Sequence, residues 1–381
     1  MKAAHTSLVI AAFALSYPHR ELPQWPIGGG NALHSAHHAP FWYAAARCDK
    51  LNRRSRVRAR LIPVVALLIA GFAHAQTDRA AAFPTKPLRI ICNAAPGGVP
   101  DVVARLIADK LTTSLGQAVI VENRPGASGT IAIAQLAKAA PDGYTIATVS
   151  PPHTAAPSMM PNLPYDTLRD LVPVRQTSSA TYFVLVRASS KYQSLADLVT
   201  TAKAQPGALA YASSGIASPP HLVAELFSMR AGIKLYHVPF NGAPAAMTAM
   251  LGNQPLDIVF ATALTASTPI RNGRLRGIAN SGTTRMTAFP DVPTIAEQGF
   301  ADFDVRDWQG FVAPTGTPTV IVERIAAEIG RAVDHPDVKN RLALMGMEAA
   351  TESSPEAFGA LFRAEYVRWA KVVKEAGIRV E

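Results

Sequence analysis

An α/β fold divided between two lobes is predicted by this 381-residue sequence. Three observations predict it. Strand-like apolar runs alternate with amphipathic helical stretches, the pattern of βα units on a mostly parallel sheet. The series breaks off at an irregular, Pro-rich stretch, Ser150–Pro173, and then restarts. About 305 residues remain once an N-terminal leader is set aside, more than one hydrophobic core usually spans.

The leader comes first in the chain. Arg53, Arg54, Arg56, Arg58 and Arg60 form a basic stretch that runs into the apolar segment Leu61–Phe72, followed by Ala73-His74-Ala75 and Gln76. A basic n-region, a short apolar h-region and a small-x-small site make a secretory signal peptide with cleavage expected before Gln76. The apolar segment is too short for a membrane span, which needs about 20 residues. Residues 1–52 show no sustained period and are read as a mis-assigned start, with initiation near Val57; an extra N-terminal module is the other reading. The expected location is therefore the periplasm.

Beyond the leader, Leu88–Cys92 reads as the first strand. A Gly/Pro turn leads into a helix over Pro100–Leu115, with Val103, Leu106, Ile107, Leu111 and Leu115 along one face. Ala118–Val121 is the second strand, Gly129–Ala139 a second helix and Tyr144–Val149 a third strand, entered through the turn Pro141-Asp142-Gly143. After the Pro-rich stretch, strands are expected at Phe183–Val186, Leu209–Tyr211, Lys234–Val238, Ile258–Phe260 and Leu275–Ala279, with helices between them. Ser218-Pro219, Thr317-Pro318 and Ser354-Pro355 each place a capping residue before a Pro at the first helical position. The strand-like Phe311-Val312-Ala313 and then mostly helix complete the chain.

Charge excludes one class of partner. The whole chain carries net +10, but residues 1–75 hold nine Lys+Arg against two Asp+Glu, leaving 28 basic and 25 acidic residues, net +3. Such a surface gives no case for nucleic acid. Cys92 is the single cysteine after the leader, so no internal disulfide is expected, and its apolar neighbours mark a buried structural thiol.

The chemistry concentrates in turns placed after strands and before helices. These are Ala95-Pro96-Gly97-Gly98-Val99-Pro100-Asp101, Ser213-Ser214-Gly215-Ile216-Ala217-Ser218-Pro219 and Pro239-Phe240-Asn241-Gly242-Ala243-Pro244. Ligands of open α/β sheets bind outside the carboxyl ends of strands, and free N–H groups at helix N-termini attract anions. Such turns also serve as ordinary βα connections, so both readings stay open on the turns alone. No nucleotide motif occurs, since Pro125-Gly126-Ala127-Ser128-Gly129 does not fit G-x-G-x-x-G and no P-loop is present. His221 and Glu225 share a helix face, but no third ligand is signalled for a metal. Ser214 and His221 lack the G-x-S-x-G elbow of a hydrolase. No catalytic residue, metal or cofactor is assigned.

At these turns the chain closely resembles the Bug proteins, the periplasmic solute receptors of tripartite tricarboxylate transporters. The resemblance runs from about Phe83 to Ile378. It rests on Phe83-Pro84-Thr85-Lys86-Pro87-Leu88, Ala95-Pro96-Gly97-Gly98, Val121-Glu122-Asn123-Arg124-Pro125-Gly126, Ala140-Pro141-Asp142-Gly143-Tyr144-Thr145, Leu163-Pro164-Tyr165-Asp166, Tyr211-Ala212-Ser213-Ser214-Gly215, His237-Val238-Pro239-Phe240, Pro290-Asp291-Val292-Pro293-Thr294 and Ala313-Pro314-Thr315-Gly316-Thr317-Pro318, all in order. It implies a two-domain periplasmic-binding-protein fold of the Venus-flytrap, type II-like kind, each lobe a mixed sheet flanked by helices. Domain one would hold residues 84–178 and 304–381, and domain two residues 182–298.

The resemblance further implies capture of a small organic acid by a monomeric receptor that serves membrane transporter subunits, the carboxylate held by loop amides and bridging waters. The expected ligand-binding set is Ala95, Gly97, Gly98, Asp101, Ser150 and His153 from the first lobe. Ser213, Ser214, Gly215, Ser218, His221, Asn241, Gly242, Ala243, Ala261 and Thr262 are expected from the second. A structural role is equally open for His221. Gly98 is the position where a side chain is expected to block the approach of the backbone. Asn93-Ala94, Pro100, Asn241 and Ala261-Thr262 depart from the family's Pro-Phe, Ser/Thr, Lys and Asp-Asn, leaving a less charged cleft that suits a small monocarboxylate or aromatic acid. A sensor reporting to a membrane kinase is the alternative function; a hydrolase or isomerase would need an acid/base pair that the sequence does not signal.

Overall fold

The computed structural model describes residues 83–160, 162–252 and 254–379. The leader, its cleavage site before Gln76 and the start-codon reading all lie outside the described residues.

β1 (Leu88–Cys92) is an apolar strand buried along most of its length, and parallel neighbours cover it on both edges. These are β2 (Val119–Asn123) and β3 (Thr145–Val149). Between β1 and β2 runs α1 (Val99–Leu115), with Pro100 in its first turn and Gly116 as its left-handed C-cap. Its Val103, Ile107 and Leu111 stripe is buried, as the 3.6-residue period requires. The β1–β2 register sets Cys92 opposite Asn123, which brings the Asn123 side chain beside the turn that follows β1. Cys92 itself is buried, and burial pushes its thiol above the ordinary value.

α2 (Thr130–Ala137) precedes β3, and α3 (Pro151–Met159) follows it. The stretch Ser150–Pro173, expected to be irregular, therefore contains a helix. Pro151 and Pro152 read as breakers, but the first turn of a helix has no use for their missing N–H groups. The same stretch begins β4 (Leu171–Arg187), of which the expected Phe183–Val186 is only the last part. Pro173, Arg175 and Gln176 break the apolar alternation, and the register against the neighbouring strand shifts twice here, between Pro173 and Arg175 and between Gln176 and Ser178.

β4 joins the two halves of the sheet. Its first part, Leu171–Thr181, pairs antiparallel with β9 (Arg306–Pro314), which lies against β3 on its other edge. Its last part, Tyr182–Arg187, pairs antiparallel with β7 (Ile258–Thr262) and β8 (Leu275–Asn280). β5 (Ala210–Ser213) is parallel to β7 on one side and to β6 (Tyr236–Pro239) on the other. The resulting order is β2-β1-β3-β9-β4-β7-β5-β6. The sheet is mixed, and β9 supplies the antiparallel contacts that its apolar run alone does not reveal.

Helices cover the second half: α4 (Leu195–Ala204), α5 (Pro219–Ala231), α6 (Ala243–Leu251) and α7 (Ala263–Arg271). α8 (Thr319–Asp334) and α9 (Pro336–Leu344) return to the first half, where a short strand, β10 (Glu348–Ala349), pairs with β4. At the start of α8 the cap is Pro318 rather than Thr317. The Thr317 hydroxyl donates back to Pro314 O instead, at 2.7 Å, closing the preceding turn. The last helix, α10 (Pro355–Ala376), has 22 residues and is about 33 Å long at 1.5 Å per residue. Phe358 and Phe362 pack with Trp308, Ile91 and Val312, whereas Trp369, Val372 and Val373 pack with Leu222, Phe227 and Tyr182. Among the described residues no helix is long and apolar enough to cross a membrane.

Candidate functional site

The register of β4 builds the floor of the site. Tyr182 lies opposite Thr262 of β7, and two residues earlier Ala180 lies opposite Asp307 of β9. Residues two apart on a strand share a face, so Tyr182 and Asp307 are diagonal neighbours across the β4–β9 pair. Above them is a cavity of ≈ 200 Å³ walled by Ser214, Pro219, Pro220, Ala243, Met247, Ala261, Thr262 and Thr265, with Val259 and Phe260 beneath. A water's share of liquid volume is about 30 Å³, so the space suits a compact ligand of few heavy atoms.

Three helices begin at this cavity. The first turns of α5, α6 and α7 contribute Pro219 and Pro220, Ala243 and Ala246, and Thr265, with Thr262 as the N-cap of α7. None of the three caps, Ser218, Gly242 or Thr262, closes its helix with a side-chain hydrogen bond. Pro219 and Pro220 leave the α5 turn without N–H groups at the cavity, so the free donors are those of the first turns of α6 and α7, and their partial positive charge favours an anion. Among the described residues no Lys or Arg lines the cavity, and one acid does, Asp307. Asp307 keeps part of its surface toward the cavity while protein atoms crowd its other sides, and burial pushes its carboxyl up to about 6. The neighbouring Tyr182 hydroxyl opposes that shift.

The turn after β5 is held from behind. Gly215 (φ 132°) and Ala217 (φ 60°) take left-handed backbone, which an alanine adopts only under constraint. The constraint is His221, whose Nδ1 accepts the Ala217 N–H at 2.9 Å. With Nδ1 accepting, Nε2 bears the proton and faces Glu225 Oε1 at 3.9 Å. The His221 ring stacks on His237 at 3.9 Å between centroids, and His237 Nε2 lies 2.6 Å from Ser213 Oγ. Tyr211, opposite His237 in the β5–β6 register, also stacks on His237 and donates to Glu225 at 2.6 Å. Burial takes both histidines down to about 4, with the neighbouring His237 charge adding to the effect on His221, so both are neutral at pH 7. Among the described residues no set of three His, Cys, Asp or Glu is placed to hold a metal.

The turn after β1 has a different clamp. Asp101 is buried, and its carboxylate accepts from Gly97 N–H at 2.8 Å and from Asn123 Nδ2 at 2.7 Å, with Arg105 Nε at 3.0 Å. Burial opposes its ionisation, but the hydrogen bonds from Arg105, Asn123 and Gly97 outweigh that and hold the carboxyl below its ordinary value. Ala95, Pro96 and Gly97 are exposed.

Of the expected binding residues, the structure gathers Ser214, Ala243, Ala261 and Thr262 around the cavity. Ser213, Gly215, Ser218, His221 and Gly242 lie directly behind or beside that wall and are engaged within the turn: Ser218 Oγ donates to Gly215 O, and Gly242 N–H donates to Ser214 O. Asn241 is exposed and does not line the cavity. Ala95, Gly97, Gly98, Asp101, Ser150 and His153 do not line it either. Asp101 is committed to its turn, as are the N–H groups of Gly97 and Gly98, the latter donating to Ala95 O at 3.1 Å. Ser150 and His153 form the capping box of α3, where His153 is buried against Asn93 and its ring is pushed toward the neutral form. Gly98 has φ −68°, open to any residue, and it is Gly97 that takes φ 82°. The floor residues Tyr182 and Asp307 carry no sequence signal, because only strand register brings them to the cavity, and Thr265 joins them from the first turn of α7.

A sheet that turns from β9 to β7 along one long strand, with a cavity at the carboxyl ends of parallel strands, has the architecture of a two-lobed solute-binding receptor. A family model described as the tripartite tricarboxylate transporter family receptor matches residues 103–378, and the chain belongs to that family. Protein BugT of Bordetella pertussis is 35% identical over 325 residues, 84% of this chain and 99% of that protein. Among solved structures, MatC from Rhodopseudomonas palustris with bound malate has TM-score 0.64 at 31% identity, covering 76% of this chain and 100% of that one. An R. palustris protein with adipate has TM-score 0.65 at 29% identity, covering 78% and 100%.

Proposed function

We propose that this protein captures a small carboxylate in the periplasm and presents it to the membrane subunits of a tripartite tricarboxylate-type transporter. It acts as a monomer and catalyses no reaction. The observation that carries the reading is the convergence of the first turns of α5, α6 and α7 on one cavity that, among the described residues, no Lys or Arg lines. An anion there is stabilised by the N–H groups of the first turns of α6 and α7 and by the Ser214 and Thr262 hydroxyls, without a neutralising cation.

Two relatives of the same fold hold malate and adipate. The lobes, residues 84–178 with 304–381 and residues 182–298, close by bending where β4 passes from β9 to β7. On closure the exposed turn Ala95–Gly98 meets the cavity. Its carbonyl groups then hold a bridging water, since the Gly97 and Gly98 N–H groups are already engaged. Calorimetric titration with small mono- and dicarboxylates and their neutral amides tests this. At least one acid is expected to bind and its amide to lose most of the affinity; an amide that binds as well as its acid refutes the reading.

A further inference from the structure

An acid that faces a cavity built for an anion calls for an explanation. The starts of α6 and α7 favour negative charge, yet the floor of the same cavity holds Asp307. Its neighbour on β9, Arg306, does not neutralise it: alternate residues of a strand point to opposite faces, and the Arg306 guanidinium is paired with Asp304 and Glu348. Among the described residues no ion pair includes Asp307, and the group beside it is a neutral phenol, Tyr182.

A ligand bearing carboxylates alone would set like charges together in about 200 Å³. A ligand with a cationic nitrogen at its other end would complete the cavity. Its carboxylate would meet the Ser214 hydroxyl and the start of α7 at Thr262, and its ammonium would meet Asp307 with Tyr182 as a further acceptor. Partial burial strengthens such a pair, because fewer waters compete for either charge.

We infer that Asp307, supported by Tyr182, is the specificity-determining group of the cavity and selects an amino acid, a molecule with one carboxylate and one ammonium group, over a plain carboxylate of equal length. The inference rests on the carboxylate-receptor reading and narrows it. It also revises the expectation of a monocarboxylate or aromatic acid: the cleft lacks cations, but it does not lack charge.

The test pairs each small amino acid with the carboxylate that lacks its amine, such as alanine with propanoate and 4-aminobutanoate with butanoate. Each pair is titrated calorimetrically into the wild-type protein, Asp307→Asn and Tyr182→Phe, with circular dichroism confirming that the variants fold. Wild type is expected to prefer the amino member of at least one pair. Asp307→Asn is expected to lose roughly ten- to hundredfold in affinity for that amino acid, the size of a charge-assisted hydrogen bond, and to bind the plain carboxylate as well as or better than wild type. Tyr182→Phe is expected to show a smaller loss of the same kind. Should plain carboxylates bind at least as tightly as their amino partners, with Asp307→Asn changing both alike, the inference is overturned while the carboxylate receptor stands. Should neither class bind, both readings fail.

Discussion

The turns after β1 and β5 are built to one plan and held by opposite means. Each leaves a strand, bends through left-handed backbone and enters a helix beside a proline. The first is fastened by an ionised carboxylate: Asp101 draws in Gly97, Asn123 and Arg105. The second is fastened by neutral rings, His221 accepting from Ala217 while His237 and Tyr211 stack behind it. The first stands exposed with one side chain holding it, whereas the second has buried aromatic backing and forms a wall of the cavity. In the closure proposed above, the turn after β5 is the preformed wall and the turn after β1 is the part that approaches it.

The clamps should separate cleanly in acid, and this is the largest effect expected. His221 and His237 go from 6.5 down to about 4 on folding, so between those values the unfolded chain binds protons that the folded chain refuses. Stability is thus lost as pH falls from about 6.5 to about 4, on the order of 3 kcal/mol for each such group. Asp307 works the other way: its raised carboxyl takes up a proton in the folded state near pH 6, adding stability on acidification toward 4. Urea unfolding of Asp307→Asn across this range should show a steeper acid loss than wild type. A flatter profile would refute the raised carboxyl of Asp307. Asp101, held below its ordinary value, contributes stability that is present above 3.8 and lost only at lower pH, so its clamp should survive the whole window.

A second difference appears at constant pH. Asp101→Asn keeps the shape but loses the charge that gathers three donors, and should cost about 2 kcal/mol at pH 7 while leaving the slope between pH 6.5 and 4 unchanged. His221→Phe keeps a ring to stack on His237 but leaves the Ala217 N–H without its acceptor. It should cost about 1–2 kcal/mol and make the acid loss shallower, with melting temperature as the readout. Equal pH profiles for the two variants would mean that the turns are not held differently.

The smallest effect concerns the wall itself. Ser214→Ala removes a hydroxyl that lines the cavity and has no share in the stack behind it, so ligand affinity should fall by about 1 kcal/mol with melting temperature unchanged. In the exposed turn, Gly97→Ala should show the converse. Its φ of 82° strains any side chain although space is open around it, so stability should fall by about 1 kcal/mol with ligand affinity little changed.

The sequence alone determined the alternation of strands and helices, the apolar stripe of α1, the proline-marked start of α5 and the turns on which a site stands. Each is written within a few residues, as a period, a cap or a glycine. The motifs around Ala95–Gly98 and Tyr211–Gly215 also carry the family. Tertiary structure decided the rest. The length of β4 was hidden because Pro173, Arg175 and Gln176 break its pattern, and only the pairing with β9 and β10 draws that polar run into the sheet. Asp101 and His153 have the chemistry of ligand contacts, and their folded neighbours, Gly97, Asn123 and Asn93, turn them into struts. Asp307 stands more than ninety residues from Ser214 in the chain and belongs to no motif. It reaches the cavity because β9 pairs with β4 in a register that sets it diagonal to Tyr182. Such long-range register follows from the burial of whole sheets, which no local pattern encodes.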